Sequence, residues 1–179
     1  MGTRIEPVRA SAVATEEGAF VALLTDAVDG GASIGFLPPL GREEASAYWR
    51  GVAGAVDADR RVLFVARADG AIVGSAQLDL EQRANQRHRA DVMKVMVLAR
   101  ARRAGIGRAL MIAVEEEARR RGRTTLVLDT RRGDPSERLY RSLGWEQAGV
   151  IPRYARNGSG GLDATVFYYK LLDEHGGGA

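Results

Sequence analysis

Gly105 and Gly107 stand where an apolar run ends and a helical pattern begins. Residues 95–98 are apolar and rich in β-branched side chains, as a buried strand requires, and a short basic turn follows them. From Arg108 the period changes: Leu110, Ala113, Val114 and Ala118 fall on one helical face, with Glu115, Glu116, Arg119 and Arg120 largely elsewhere. A helix N-terminus exposes unpaired N–H groups and partial positive charge, and glycines there let several N–H groups converge on one phosphate. Residues 95–110 therefore predict an anion-binding turn between a strand and a helix. Two carboxylates and a phenol flank it. Asp91 lies on the strand that enters the turn, where period two puts it on one face with Met93, Val95 and Val97. Asp129 ends the next apolar strand, and Tyr140 lies on the short helix after it. Strand ends beside a switch in chain direction face the ligand crevice of an open sheet, so Asp91 and Asp129 are expected to flank one cleft. Each residue also has a plainer reading: Asp91 paired with His88 or Arg89, Asp129 paired with Arg131 or Arg132, and Tyr140 a core side chain.

The turn Arg102-Arg103-Ala104-Gly105-Ile106-Gly107 resembles the acyl-coenzyme A loop of the GNAT superfamily of N-acetyltransferases: Gln or Arg, two residues, Gly, one residue, then Gly or Ala. Other phosphate loops fit less well. Leu110 stands where the dinucleotide fingerprint needs its third Gly, and the G-K-[ST] ending of the nucleotide-hydrolase loop is absent. The bland alternative is a helix start with two turn glycines. The resemblance implies an α/β (α+β) fold, a mixed and mostly antiparallel sheet with two splayed central parallel strands, flanked by helices. It implies acetyl-CoA as cosubstrate, held by Val95, Met96, Val97, Arg102, Arg103, Ala104, Gly105, Ile106, Gly107, Arg108 and Ser136, and no metal.

The reaction so implied is attack by an amine on a thioester. The amine must lose a proton, the oxyanion must be held and the leaving thiolate must gain a proton. A lysine-like amine of pKa near 10.4 is neutral in only about one molecule in a thousand at pH 7, so a base is needed. The resemblance gives that role to Asp91, directly or through a water, with Asp129 as its partner on the amine. It gives the acid role to Tyr140, which matches the family's Ala-x-x-x-Tyr…Gly-Phe pattern with Ser136 for Ala and Trp145 for Phe. Main chain at Val95 and Val97 would bond the acetyl oxygen and the pantetheine amide. One position departs from the pattern: many family members carry Asn, which holds the pantetheine arm, where this chain has Gly133, so that side-chain contact is lost.

Residues 30–36, 75–78, 89–98 and 128–130 are similar to the tabtoxin-resistance branch of the family, with Asp91 where that branch has Glu. This implies acetylation of a small amino-acid-like amine or antibiotic. The shorter Asp favours relay through a water. Acetylation of a protein lysine or N-terminus is the enzymatic alternative, and a coenzyme A-binding sensor module the non-enzymatic one. Residues 36–39 and 157–161 are expected to cap a small acceptor pocket, whereas an open groove would mark a peptide substrate.

These residues need positioning elements. The pattern predicts a strand over 3–10, helices over 16–28 and 42–56, a hairpin of strands 61–67 and 72–80 around Asp69-Gly70, and a strand over 88–98. It then predicts a helix from 108, a strand over 125–130, a helix over 135–142 N-capped by Asp134, and strands over 147–153 and 164–170. No repeat or linker interrupts this order, so residues 1–175 are read as one domain and 176–179 as a disordered tail. The chain has 179 residues, enough for one domain with a real core. Without cysteine it has no disulfide or catalytic thiol, and two distant histidines make no metal site. No signal peptide or spanning segment is evident, which makes the cytoplasm the expected location. Basic residues exceed acidic ones by 26 to 23, but the basic stretches lack interleaved aromatics, which argues against nucleic acid as a partner. A small-molecule amine is the expected partner, with a homodimer left open.

Overall fold

The computed structural model describes residues 2–172; the tail at 176–179 lies outside them. Strand β1 (Arg4–Val8) leads into three helices, α1 (Ala10–Thr15), α2 (Glu17–Asp29) and α3 (Arg42–Asp57). Then come β2 (Arg61–Ala68), β3 (Ala71–Leu80), β4 (Arg89–Val97), α4 (Ile106–Arg120), β5 (Thr125–Arg131), α5 (Ser136–Ser142), β6 (Glu146–Arg156) and β7 (Leu162–Leu171). The strands form one sheet in the order β1-β2-β3-β4-β5-β7-β6. Every neighbouring pair is antiparallel except β4 and β5. The β2–β3 hairpin turns on Asp69 and Gly70, both with positive φ, the geometry that matches the twist of the strands.

Each face of the sheet carries its own core. On one, α4 and α5 pack Ile106, Leu110, Val114 and Tyr140 against Phe64, Leu78 and Leu126. On the other, α1 to α3 pack Phe20, Leu24 and Trp49 against Leu63, Val65 and Met96. At the start of α5, Asp134 Oδ1 accepts the Ser136 amide at 2.9 Å, and Gly144 with φ 79° ends the helix.

Three features depart from the sequence reading. Helix α1 was not expected: of its six residues only Val13 is buried, so no periodicity marks it. Glu115 is buried rather than solvated. It accepts from the Trp145 indole at 2.9 Å and from Lys170 Nζ at 2.6 Å, and this satisfaction makes its burial tolerable. The third departure concerns β4. Gln77 faces Met93 and Ser75 faces Met96, so two residues, Lys94 and Val95, oppose the single Ala76. This bulge shifts the alternation. Val95 and Val97 turn to the α4 side with Ala90 and Val92, while Asp91 and Met93 keep to the opposite face, where Met96 packs. Asp91, Met93, Val95 and Val97 therefore do not share one face.

Candidate functional site

The parallel strands are paired over only three residues each, Arg89 to Asp91 with Thr125 to Val127. Beyond that point they part. A cavity of ≈ 650 Å³ opens there. Val95, Met96 and Val97 line it from β4, Arg102, Arg103 and Gly105 from the turn, Ile106, Gly107 and Arg108 from α4, and Ser136 and Tyr140 from α5. The cofactor residues expected from sequence are thus brought together, apart from Ala104, which is exposed and outside the lining.

The turn is shaped for an anion. Gly105 has φ 78° and no side chain caps α4, whose first intrahelical bond runs from the Ala109 amide to the Gly105 carbonyl. The amides of Ile106, Gly107 and Arg108 come before that bond, so the helix leaves them for a ligand. Arg103 also adopts a left-handed φ, 64°, a strained backbone of the kind that clusters at ligand clamps. A Cβ at position 107 would lie 3.3 Å from Leu139 Cδ2, which ties Gly107 to the approach of α5. Arg102 folds back on the protein: its Nε donates to the Val97 carbonyl at 3.0 Å, and Asp26 lies 3.8 Å from its guanidinium. The Asp26 carboxylate in turn accepts the Ala99 amide at 2.9 Å. Arg102 and Asp26 therefore position the turn, a role that no local pattern around Asp26 announces.

Tyr140 is 6% exposed, and its ring packs near Trp145 and Tyr168. Burial pushes its phenol up to about 12, with the Ser136 hydroxyl pulling the other way. The group is therefore protonated at any ordinary working pH and can hold a proton out into the cavity it lines. Ser136 is anchored by Thr130, 2.9 Å between hydroxyls. Gly133, where the family pattern has Asn, has φ 84° and gives its amide to Glu137 at 2.6 Å.

Asp91 and Asp129 lie on the face opposite α4 and line neither this cavity nor the one described next. Asp91 sits at the fork itself, opposite Val127. Burial raises its pKa, Arg89 lowers it, and Asp79, Glu81 and Asp129 add to the rise. Asp91 Oδ1 and Arg89 Nε are 3.7 Å apart, too far to hydrogen-bond, and neither has another partner among the described residues. Asp129 accepts from Thr165 Oγ1 at 3.0 Å. Neither Arg131 nor Arg132 pairs with it. Arg131 bonds the Gly31 carbonyl at 3.0 Å and lies within 3.8 Å of Asp134 and Asp163.

That arginine marks a second cavity, of ≈ 590 Å³, lined by the 29–38 loop, Arg131 and residues 155–159. Arg131 and Ala32 belong to both cavities, so the two meet there. The loops touch over this second space: a Cβ on Gly158 would sit 2.9 Å from Pro38 Cγ. Arg131 carries no signal in the sequence beyond its place at a strand end.

The Acetyltransferase (GNAT) family model matches residues 32–145, more than half of the chain. An uncharacterized N-acetyltransferase from the hisH–hisA intergenic region of Azospirillum brasilense is 44% identical over 108 residues, 59% of this chain and 62% of that protein. The match thus spans less than two thirds of that relative's length. Among solved structures, an N-acetyltransferase from Staphylococcus aureus Mu50 superposes with a TM-score of 0.80 at 19% identity, over 97% of this chain and all of that one. Ribosomal-protein-alanine N-acetyltransferase from Brucella melitensis gives 0.79 at 26% identity, over 94% and 99%. The yncA protein of Salmonella typhimurium, solved with its cofactor acetyl-CoA, gives 0.79 at 22% identity, over 100% and 99%. At these identities the structural likenesses carry the fold.

Proposed function

Since the chain belongs to the GNAT acetyltransferase family, we propose that it is an acetyl-CoA-dependent N-acetyltransferase acting on the primary amine of a small amino-acid-like molecule. The residues of the fork fit that cosubstrate. The uncapped turn at Gly105 suits the pyrophosphate, and the unpaired edge of β4 past Asp91 suits an amide-bearing arm. When bound, acetyl-CoA supplies an acetyl group activated as a thioester. The chain's own residues do the rest. Asp91 lines neither cavity but stands at the fork with its proton affinity raised by burial, so it would take a proton from the amine through a water, with Asp129 on the same face to attract the ammonium. Tyr140, protonated in the wall of the first cavity, would supply the proton that the leaving thiolate needs. Main-chain N–H groups of Val95 and Val97, on the edge of β4 that β5 leaves unpaired, would hold the developing negative charge.

The observation that favours a small acceptor is the contact between the two loops, Gly158 against Pro38, over a cavity of ≈ 590 Å³. A peptide acceptor, as named for the Brucella protein, needs an open groove at that place. Likeness to the tabtoxin-resistance branch supports an antibiotic or toxin amine within this class, met in the cytoplasm. A thiol-release screen with acetyl-CoA tests the reading, using amino acids, tabtoxin-like β-lactams, aminoglycosides and ribosomal-protein N-terminal peptides. Turnover confined to the peptides would replace the small-acceptor reading, and no turnover with any amine would leave a coenzyme A-binding module.

A further inference from the structure

Only two of the 26 basic residues are lysines. Lys170 is spent on Glu115 and the Leu143 carbonyl. Lys94 is different. It occupies the β4 bulge with φ 51°, an uncommon backbone for any residue with a side chain. It is half-buried, and its Nζ lies 5.7 Å from the centre of the Tyr48 ring. Among the described residues no carboxylate comes within 4 Å of that ammonium, and no acceptor hydrogen-bonds it. Burial and the nearby Arg61 both disfavour its charge, and Asp129 favours it. A half-buried cation without a counter-ion is costly unless something else supplies one.

The position of that ammonium indicates the missing anion. A Cβ on Gly35 would lie 3.9 Å from Nζ, and Gly35 and Phe36 both line the second cavity. Phe36 also packs edge-on against Tyr48, 5.3 Å between ring centres. The cations that line that cavity are committed, Arg131 to Gly31, Asp134 and Asp163, and Arg156 to the Gly160 carbonyl, whereas Lys94 stands just behind its wall at Gly35. We propose that Lys94 reads the carboxylate of an amino-acid acceptor, holding it so that the amine faces Asp91 and Asp129. The inference rests on the acetyltransferase reading above and names the acceptor's second recognition point. An ammonium on β4 with carboxylates of β4 and β5 near it offers both charges that a zwitterion needs. A compact ammonium suits this narrow place better than a guanidinium fork.

The test pairs each common L-amino acid with its α-carboxamide as acceptor, for wild type, Lys94→Met and Lys94→Arg. The amide has the less basic amine, so more of it is neutral, and without a carboxylate reader it should be the better acceptor. Wild type is expected to prefer the acid. Lys94→Met is expected to raise KM for the acid about ten- to a hundredfold, the worth of a charged hydrogen bond, and to leave KM for the amide and for acetyl-CoA unchanged. Lys94→Arg should recover part of the loss. Equal use of acid and amide by wild type, or an equal loss of both in Lys94→Met, overturns the assignment. If wild type releases thiol with no amine, the acetyltransferase reading fails, and calorimetric titration of the same acids and amides onto the protein with coenzyme A then decides Lys94 alone. Heat from acids that vanishes in Lys94→Met supports it; no heat, or heat unchanged in the variant, refutes it.

Discussion

Replacing Tyr140 by Phe separates the acid from the core residue. The ring is 6% exposed between Trp145 and Tyr168, and Phe keeps all of that packing. Folding loses at most one polar contact of the hydroxyl, which lies near Ser136, a cost of no more than about 0.5–1.5 kcal/mol. For a domain of this size, 1 kcal/mol moves Tm by about 2–4 °C, so the variant should melt only a few degrees below wild type. The rate should fall much further, by about 10² to 10⁴, the usual worth of a positioned acid, with acetyl-CoA affinity nearly unchanged. Burial adds a second signature. With a phenol at about 12, roughly one molecule in a thousand is ionised at pH 9, against about one in ten for an ordinary tyrosine. Loss of the Tyr140 proton should therefore put no descending limb in the wild-type pH–rate profile below pH 10. Stopped-flow thiol release, with product release shown to be fast, reads both effects. A Tyr140→Phe rate within about twofold of wild type would return the residue to the core and refute the assigned role.

Four further outcomes follow from the site. Saturating acetyl-CoA should raise Tm in a concentration-dependent way by mass action, and the absence of any shift in a folded, coenzyme-free sample would remove the cofactor assignment. Gly105→Val should destabilise the turn by about 1–2 kcal/mol, because φ 78° is left-handed, and Gly107→Val should crowd Leu139; both should abolish that thermal shift while far-UV circular dichroism stays native. Asp91→Asn should cut turnover and flatten the acidic limb of the pH profile, a limb displaced upward from the ordinary carboxylate range because burial raises this pKa. The same rise fixes a sign for stability. The folded protein binds the Asp91 proton more tightly than the unfolded chain, so the group's contribution is present at low pH and lost as pH rises through the folded value. The Asn variant should therefore gain Tm over wild type at pH 8 and gain less at pH 4; an equal gain at both would mean that Asp91 is not desolvated.

The sheet was legible because its signals are local. Asp69-Gly70 set a hairpin, residues 125–130 an apolar strand, and the glycines at 105 and 107 the start of α4. The lining of the first cavity was legible for the same reason, since most of it follows along the end of β4, one turn and the start of α4; Ser136 came from its pattern with Tyr140. What the sequence concealed is non-local. The β4 bulge arises from the register against β3, and nothing in residues 91–97 announces it, so period two misassigned Val95 and Val97. Glu115 looks solvated until Trp145 and Lys170 are brought beside it from elements far along the chain. Lys94 and Arg131 gain their meaning from loops at 29–38 and 155–159 that the linear pattern could not place against β4 and β5.

The three-residue union of β4 and β5 also bears on how the molecule opens and closes. Strands β1 to β4 form one leaf of continuous antiparallel pairing, and β5, β7 and β6 form another. Between the leaves the sheet itself contributes only that short parallel seam, with α4 as the covalent crossover. What joins the leaves beyond that seam is their shared core under α4 and α5, where Leu78 and Val92 of one leaf and Leu126 and Tyr168 of the other pack in one cluster. Amide protons on the two facing edges beyond the fork then belong to the fastest-exchanging class of the sheet interior, although their neighbours on β3 and β7 are among the slowest. A ligand seated in the fork touches both leaves at once, and so ties their open edges together where strand pairing does not.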